Sequence, residues 1–105
     1  MIQHLVLYKL NPDCPPETVE NMMRSTRMSL LKIQEVRSVR CGKRIEDTCE
    51  WPFFVAVEYE SLDQMAAAHE DPIYIKYVGE IVNPNVADRL TLDFEMDPGK
   101  DVRYS

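Results

Sequence analysis

Ile2-Gln3-His4-Leu5-Val6-Leu7-Tyr8-Lys9 has the alternation of a β-strand that is apolar on both faces. Successive side chains point to opposite sides of a strand, so Ile2, His4, Val6 and Tyr8 share one face and Leu5 and Leu7 the other. Phe53-Phe54-Val55-Ala56-Val57-Glu58-Tyr59 repeats the pattern, with Phe53, Val55, Val57 and Tyr59 opposite Phe54 and Ala56. Leu90-Thr91-Leu92-Asp93-Phe94 sets Leu90, Leu92 and Phe94 opposite Asp93. A sheet built from such strands needs cover on both sides. Two helices can cover only one side, so a second copy of the chain is the economical cover for the other, and a homodimer is expected.

The 105 residues make one domain, large enough for a core but with no room for a separate regulatory unit. With 12 Lys and Arg against 18 Asp and Glu the net charge is -6, which argues against a nucleic-acid partner held by phosphate contacts. Arg37, Arg40, Lys43 and Arg44 form the one basic cluster, and Glu46, Asp47 and Glu50 follow it closely; this is the pattern of a solvated edge strand. No apolar run approaches membrane-spanning length and no leader pattern is evident, so the protein is expected to be soluble and cytoplasmic, with no membrane partner. Cys14, Cys41 and Cys49 are odd in number and lack C-x-x-C spacing, so they read as free thiols rather than a disulfide frame or zinc site.

The order of elements is β-α-β-β-α-β. Prolines at 12, 15 and 16 mark a turn and a helix entry. Val19, Met22, Met23, Thr26, Leu30 and Ile33 then recur at three-and-four spacing, which predicts a helix from about residue 16 to 32. Residues 36 to 45 form a more polar second strand. The third strand ends at Ser61, where Ser61-Leu62-Asp63-Gln64 has the form of a capping box. A second helix runs through His69, and Asp71-Pro72 interrupts it. A further helical segment covers 73 to 82 before Asn83-Pro84. A helix broken at this point turns a corner that brings His69, Asp71 and Tyr74 close together.

His-Leu-Val-Leu-Tyr-Lys-Leu at 4 to 10, Gly42, Val57 to Ser61, Asp71-Pro72-Ile73-Tyr74-Ile75-Lys76-Tyr77-Val78 and Leu92-Asp93-Phe94-Glu95 together resemble the stress-responsive dimeric α/β-barrel (Dabb) domain family, over residues 2 to 95. The resemblance implies an α+β, ferredoxin-like βαββαβ protomer with an antiparallel sheet, two helices on one face, and a partner sheet closing a dimeric barrel. It assigns 1–95 to the domain and 96–105 to a polar tail. It also implies a small-molecule pocket between sheet and helices, with a wall of His4, Val6, Tyr8, Val55, Val57 and Asp93 and a roof of Met22, Met23, Thr26, Ala68, Tyr74 and Tyr77. A plant polyketide cyclase of this kind works through a helix tyrosine and the second histidine of a His-Pro-x-His motif. Those positions look like Ala68 and Tyr74 here, and the motif reads Asp-Pro-Ile-Tyr, so the cyclase pair itself is not present.

His4 is the one imidazole of the implied pocket, the side-chain type suited to taking up and releasing a proton, and Asp93 can hold its ring. In a sheet ordered 4-1-3-2 the two stand on neighbouring strands, and register decides whether they meet. Two functions follow. One is a cofactor-free lyase, isomerase or cyclase acting on a carbonyl compound, with His4 as base, Asp93 orienting it, and Tyr8 or Tyr74 donating a hydrogen bond. The other is a non-enzymatic ligand-binding or stress-related assembly protein in which His4 is a satisfied core residue. His69 is expected at the surface, because neighbouring helix residues such as Glu70 and Asp71 diverge and converge poorly on a metal. Gly-rich phosphate loops, H-E-x-x-H and the nucleophile elbow are missing from the sequence, so neither cofactor nor metal is expected.

Overall fold

In the computed structural model, residues 1–98 are described; the tail expected over 96–105 lies outside the described residues from 99 onward. Strand β1 spans Ile2–Leu10, helix α1 Thr18–Leu30, β2 Ser38–Lys43, β3 Phe53–Tyr59, α2 Leu62–Glu70, α3 Pro72–Tyr77 and β4 Val86–Glu95. A π-helical turn, Val78–Val82, extends α3. The four strands form one antiparallel sheet in the order β2-β3-β1-β4. This is the expected α+β, ferredoxin-like βαββαβ arrangement.

The elements stop where local chemistry stops them. Ser61 Oγ accepts from the Gln64 backbone N–H at 3.2 Å, which starts α2. Asp71 sits in an extended conformation and its carboxylate accepts from the Ile73 N–H at 2.8 Å, with Pro72 opening α3. The corner is therefore an N-cap placed one residue after a helix end. The segment expected over 73–82 divides at Val78, where the Asn83 N–H bonds to the Val78 carbonyl at 2.8 Å, the five-residue spacing of a π turn. The outer strands and first helix differ in length from the sequence pattern. α1 begins two residues later than expected and β2 is trimmed at both ends, whereas β4 begins at Val86, where polar residues join the ladder through backbone bonds that carry no hydrophobic signal.

The core lies on the helix-facing side of the sheet. Val6, Tyr8, Phe53, Val55, Val57 and Tyr59 from the strands pack with Met22, Leu30, Ile33, Ala68, Tyr77 and Val82. Burying side chains of this size contributes about 1.5–3 kcal/mol each and is the main term holding the fold. The opposite side carries Leu5, Leu7, Phe54, Leu90, Leu92 and Phe94, by strand alternation and register. Leu90, Leu92 and Phe94 are 40, 36 and 50% exposed. Phe54 lies across Gly42, where a Cβ would come within 2.2 Å of its ring. Among the described residues no helix is long and apolar enough to cross a membrane, and the three cysteines are free.

Candidate functional site

The register pairs His4 with Val57 on one side and with Asp93 on the other. Directly opposed residues point to the same face, and His4 Nδ1 meets Asp93 Oδ1. The His4 side chain is 8% exposed and that of Asp93 42%, so a buried ring is held by a carboxylate that still faces solvent. Of the residues expected to form the pocket wall, these two are brought into contact.

His69 joins them, correcting its expected surface position. The last turn of α2 drops its ring to 5.0 Å from that of His4, edge to face. Tyr74, one turn beyond the Asp71-Pro72 corner, stacks on His69 at 4.4 Å with 21° between the planes. Tyr59 completes the cluster from β3, 5.8 Å from His69 and 6.4 Å from His4. Asp71 takes no part, because its carboxylate is turned to the α3 backbone. Two polar atoms of this cluster, Tyr59 Oη and His69 Nε2, are buried without a hydrogen-bond partner among the described residues.

Burial pushes the pKa of His69 down, and the neighbouring His4 lowers it further, so His69 is a neutral imidazole at pH 7. Burial raises the phenols of Tyr59 and Tyr74, which therefore stay protonated as hydrogen-bond donors. The cluster thus sets an imidazole on a carboxylate, a neutral imidazole beside it, and two phenols around them, which is the equipment for moving a proton and receiving a developing oxyanion.

Other residues of the expected pocket lie elsewhere. Tyr8 is four residues from His4, about 13 Å along the strand, and stacks on Phe53 at 5.7 Å. Burial, reinforced by the Tyr74 phenol, pushes its hydroxyl up to about 12. Val6, Val55, Val57, Met22, Ala68 and Tyr77 are core residues, and Met23 packs half-buried against them. Thr26 Oγ1 and Tyr77 Oη share a buried hydrogen bond of 2.7 Å. The space between α1 and the middle of the sheet is accordingly packed, and the polar cluster occupies the end where β1 begins and β4 ends. A cavity of about 330 Å³ adjoins the cluster, lined by His69, Tyr74, Ile75, Val78, Gly79 and Asn83.

His69 and Tyr74 meet at the corner as expected, but neither His69 nor Tyr59 belonged to the expected pocket. Tyr59 was legible as a helix-facing residue two positions beyond Val57, but nothing in the sequence shows that its hydroxyl lacks a partner. His69 follows the buried Ala68 on α2, and the packing of α2 against β3 sets its ring beside Tyr59 and His4.

The profile of the family described as Stress responsive A/B Barrel Domain matches residues 2–96. Among curated proteins none matches the sequence. Solved structures share the fold. A Dabb family protein with a ferredoxin-like fold from Mesorhizobium loti is 17% identical, with a TM-score of 0.79 over 90% of this chain and 95% of that one. A dimeric ferredoxin-like protein of unknown function from Thermobifida fusca is 22% identical, with a TM-score of 0.80 over 90% of each chain. A hydroxynitrile lyase from Passiflora edulis is 8% identical, with a TM-score of 0.80 over 95% of this chain and 96% of that one.

Proposed function

The chain belongs to the stress-responsive A/B barrel domain family, and from that premise we propose that it binds a carbonyl compound at the His4, Asp93, His69, Tyr59 and Tyr74 cluster and acts on it as a cofactor-free lyase, isomerase or cyclase. One observation carries this reading: Tyr59 Oη and His69 Nε2 lie buried and unpartnered beside an imidazole held by a carboxylate. A buried polar group without a partner costs about 1–3 kcal/mol, and two such groups side by side in a cluster mark a place for a ligand atom, an ordered water or a catalytic role.

In this reading His4, oriented by Asp93, removes a proton from the carbon next to the carbonyl. The C–H electron pair passes to the carbonyl oxygen as an enolate, and the Tyr59 or Tyr74 phenol donates to that oxygen. A neutral His69 adds no second positive charge beside His4 when His4 takes up the proton. In the Passiflora edulis protein the same fold serves a hydroxynitrile lyase.

The test is exchange of α-protons for deuterium. A panel of ketones and aldehydes incubated with the protein in D2O and followed by NMR is expected to show exchange that His4→Ala lowers by about 10²- to 10⁴-fold. Exchange at the buffer rate across the panel would overturn the enzymatic reading. That outcome would favour a non-enzymatic ligand-binding or assembly protein, which the packed Met22, Thr26, Ala68 and Tyr77, all 4% exposed or less, independently supports.

The protein is further read as a homodimer. Leu90, Leu92 and Phe94 continue the apolar outer face of Leu5, Leu7 and Phe54, and fold relatives are dimeric. A contiguous face of this kind marks an association surface. Three unpaired cysteines suit a reducing compartment such as the cytoplasm.

A further inference from the structure

β4 is an edge strand that the helices leave uncovered. Arg89, Thr91 and Asp93 alternate onto the helix-facing side, opposite Tyr8, Val6 and His4, yet all three are exposed. Across the gap stand Tyr74, Val78, Gly79 and Asn83, which line the cavity beside His69. Gly79 leaves that cavity open, since a Cβ there would meet nothing within 4 Å. Asn83 joins the two sides: its Oδ1 accepts from Arg89 Nη2 at 3.0 Å.

Arg89 is a cation whose only side-chain partner among the described residues is this neutral amide. Neither Asp88 nor Asp93, the carboxylates of its stretch of β4, forms an ion pair with it among the described residues. Asp88 accepts from the Arg89 backbone N–H at 2.8 Å, and Asp93 holds His4. The guanidinium is close enough to pull down the raised pKa values of both Tyr74 and Tyr8. Through Asn83 it is tied to the lining of the cavity, with most of its planar donor fork uncommitted.

We propose that Arg89, positioned by Asn83, is an anion-recognition group at the mouth of the site, and that the carbonyl compound taken up there carries a carboxylate. The inference rests on the acid/base reading of the cluster and adds the substrate class to it. A single guanidinium presents the flat, two-pronged geometry that matches a carboxylate. Arg89 and Asp93 are four residues apart, about 13 Å along the strand. That backbone spacing makes an oxo acid with several carbons between carbonyl and carboxylate, rather than a 2-oxo acid, the probe to use first.

The experiment compares 7-oxooctanoate, its methyl ester and 6-oxoheptyl phosphate, with α-proton exchange in D2O and binding by calorimetry as separate readouts. The acid is expected to half-saturate at a concentration at least about tenfold below the ester, and Arg89→Gln to bring the ratio close to one, the scale of one lost charge-assisted contact. Equal half-saturation of acid and ester, or an acid preference that survives in Arg89→Gln, would overturn the proposal. Tighter uptake of the phosphate than of the acid would overturn the assignment to a carboxylate. If none of the three exchanges, the acid/base reading fails. Calorimetry then decides Arg89 alone: acid binding weakened in Arg89→Gln upholds the anion site, and absence of acid binding removes it.

Discussion

His4 and Asp93 occupy directly opposed positions on β1 and β4, and their side chains meet, Nδ1 to Oδ1, on the helix-facing side of the sheet. The contact links a buried ring to an exposed carboxylate, so it holds the edge strand to the core as well as orienting the imidazole.

Asp93→Ala removes the orienting group and leaves a buried ring nitrogen unpaired. Loss of about 1–2 kcal/mol of stability is expected, read from urea unfolding. The α-proton exchange rate should fall with it, because an unheld imidazole samples other tautomers and rotamers.

His69 makes stability depend on pH. Its pKa in the folded protein lies below the ordinary 6.5, first from burial and then from His4, so the unfolded chain binds its proton more readily. Stability from this group is therefore fully present above about pH 7 and declines as pH falls below the unfolded value of about 6.5. Urea midpoints from pH 8 to 5 should fall in the native protein and less steeply in His69→Gln. An NMR titration of the His69 ring should give a midpoint below 6.5.

Thr26 and Tyr77 share a hydrogen bond inside the core. Thr26→Val removes the Thr26 partner of the Tyr77 hydroxyl and leaves its interaction with Tyr8, so it is expected to cost about 1 kcal/mol, with a coupling to Tyr77→Phe of about 0.5–3 kcal/mol. Thermal melts of the two single variants and the double variant measure the coupling.

Gly42 lets the Phe54 ring lie across β2, 2.2 Å from where a Cβ would be. Gly42→Ala should push the ring aside at a cost of about 1–3 kcal/mol. In a Phe54→Ala background the same change should cost far less, as unfolding of the four proteins in the cycle would show.

Leu92 stands opposite Leu5 on the outer face, 36% exposed. Leu92→Glu places a charge in the centre of the proposed association surface and is expected to convert the proposed dimer to monomer in sedimentation velocity, with circular dichroism unchanged.

The sequence carries the order of elements, the sheet and both of its faces in local signals. Alternation in residues 2 to 9 and 53 to 59, proline placement at 16, 72 and 84, and the caps at Ser61 and Asp71 are local signals, and each acts within a few residues of where it is written. It also placed His4 and Asp93 on one face of neighbouring strands. Packing between elements makes their register direct, sets His69 of α2 on His4 and Tyr74, beyond the Asp71-Pro72 corner, on His69, joins Thr26 to Tyr77 inside the core, and brings Arg89 to Asn83 at the open edge. Those facts depend on how elements distant along the chain are brought together in space. A one-residue slip of β4 would carry Asp93 and Arg89 to the opposite face while leaving the sequence pattern of every element unchanged.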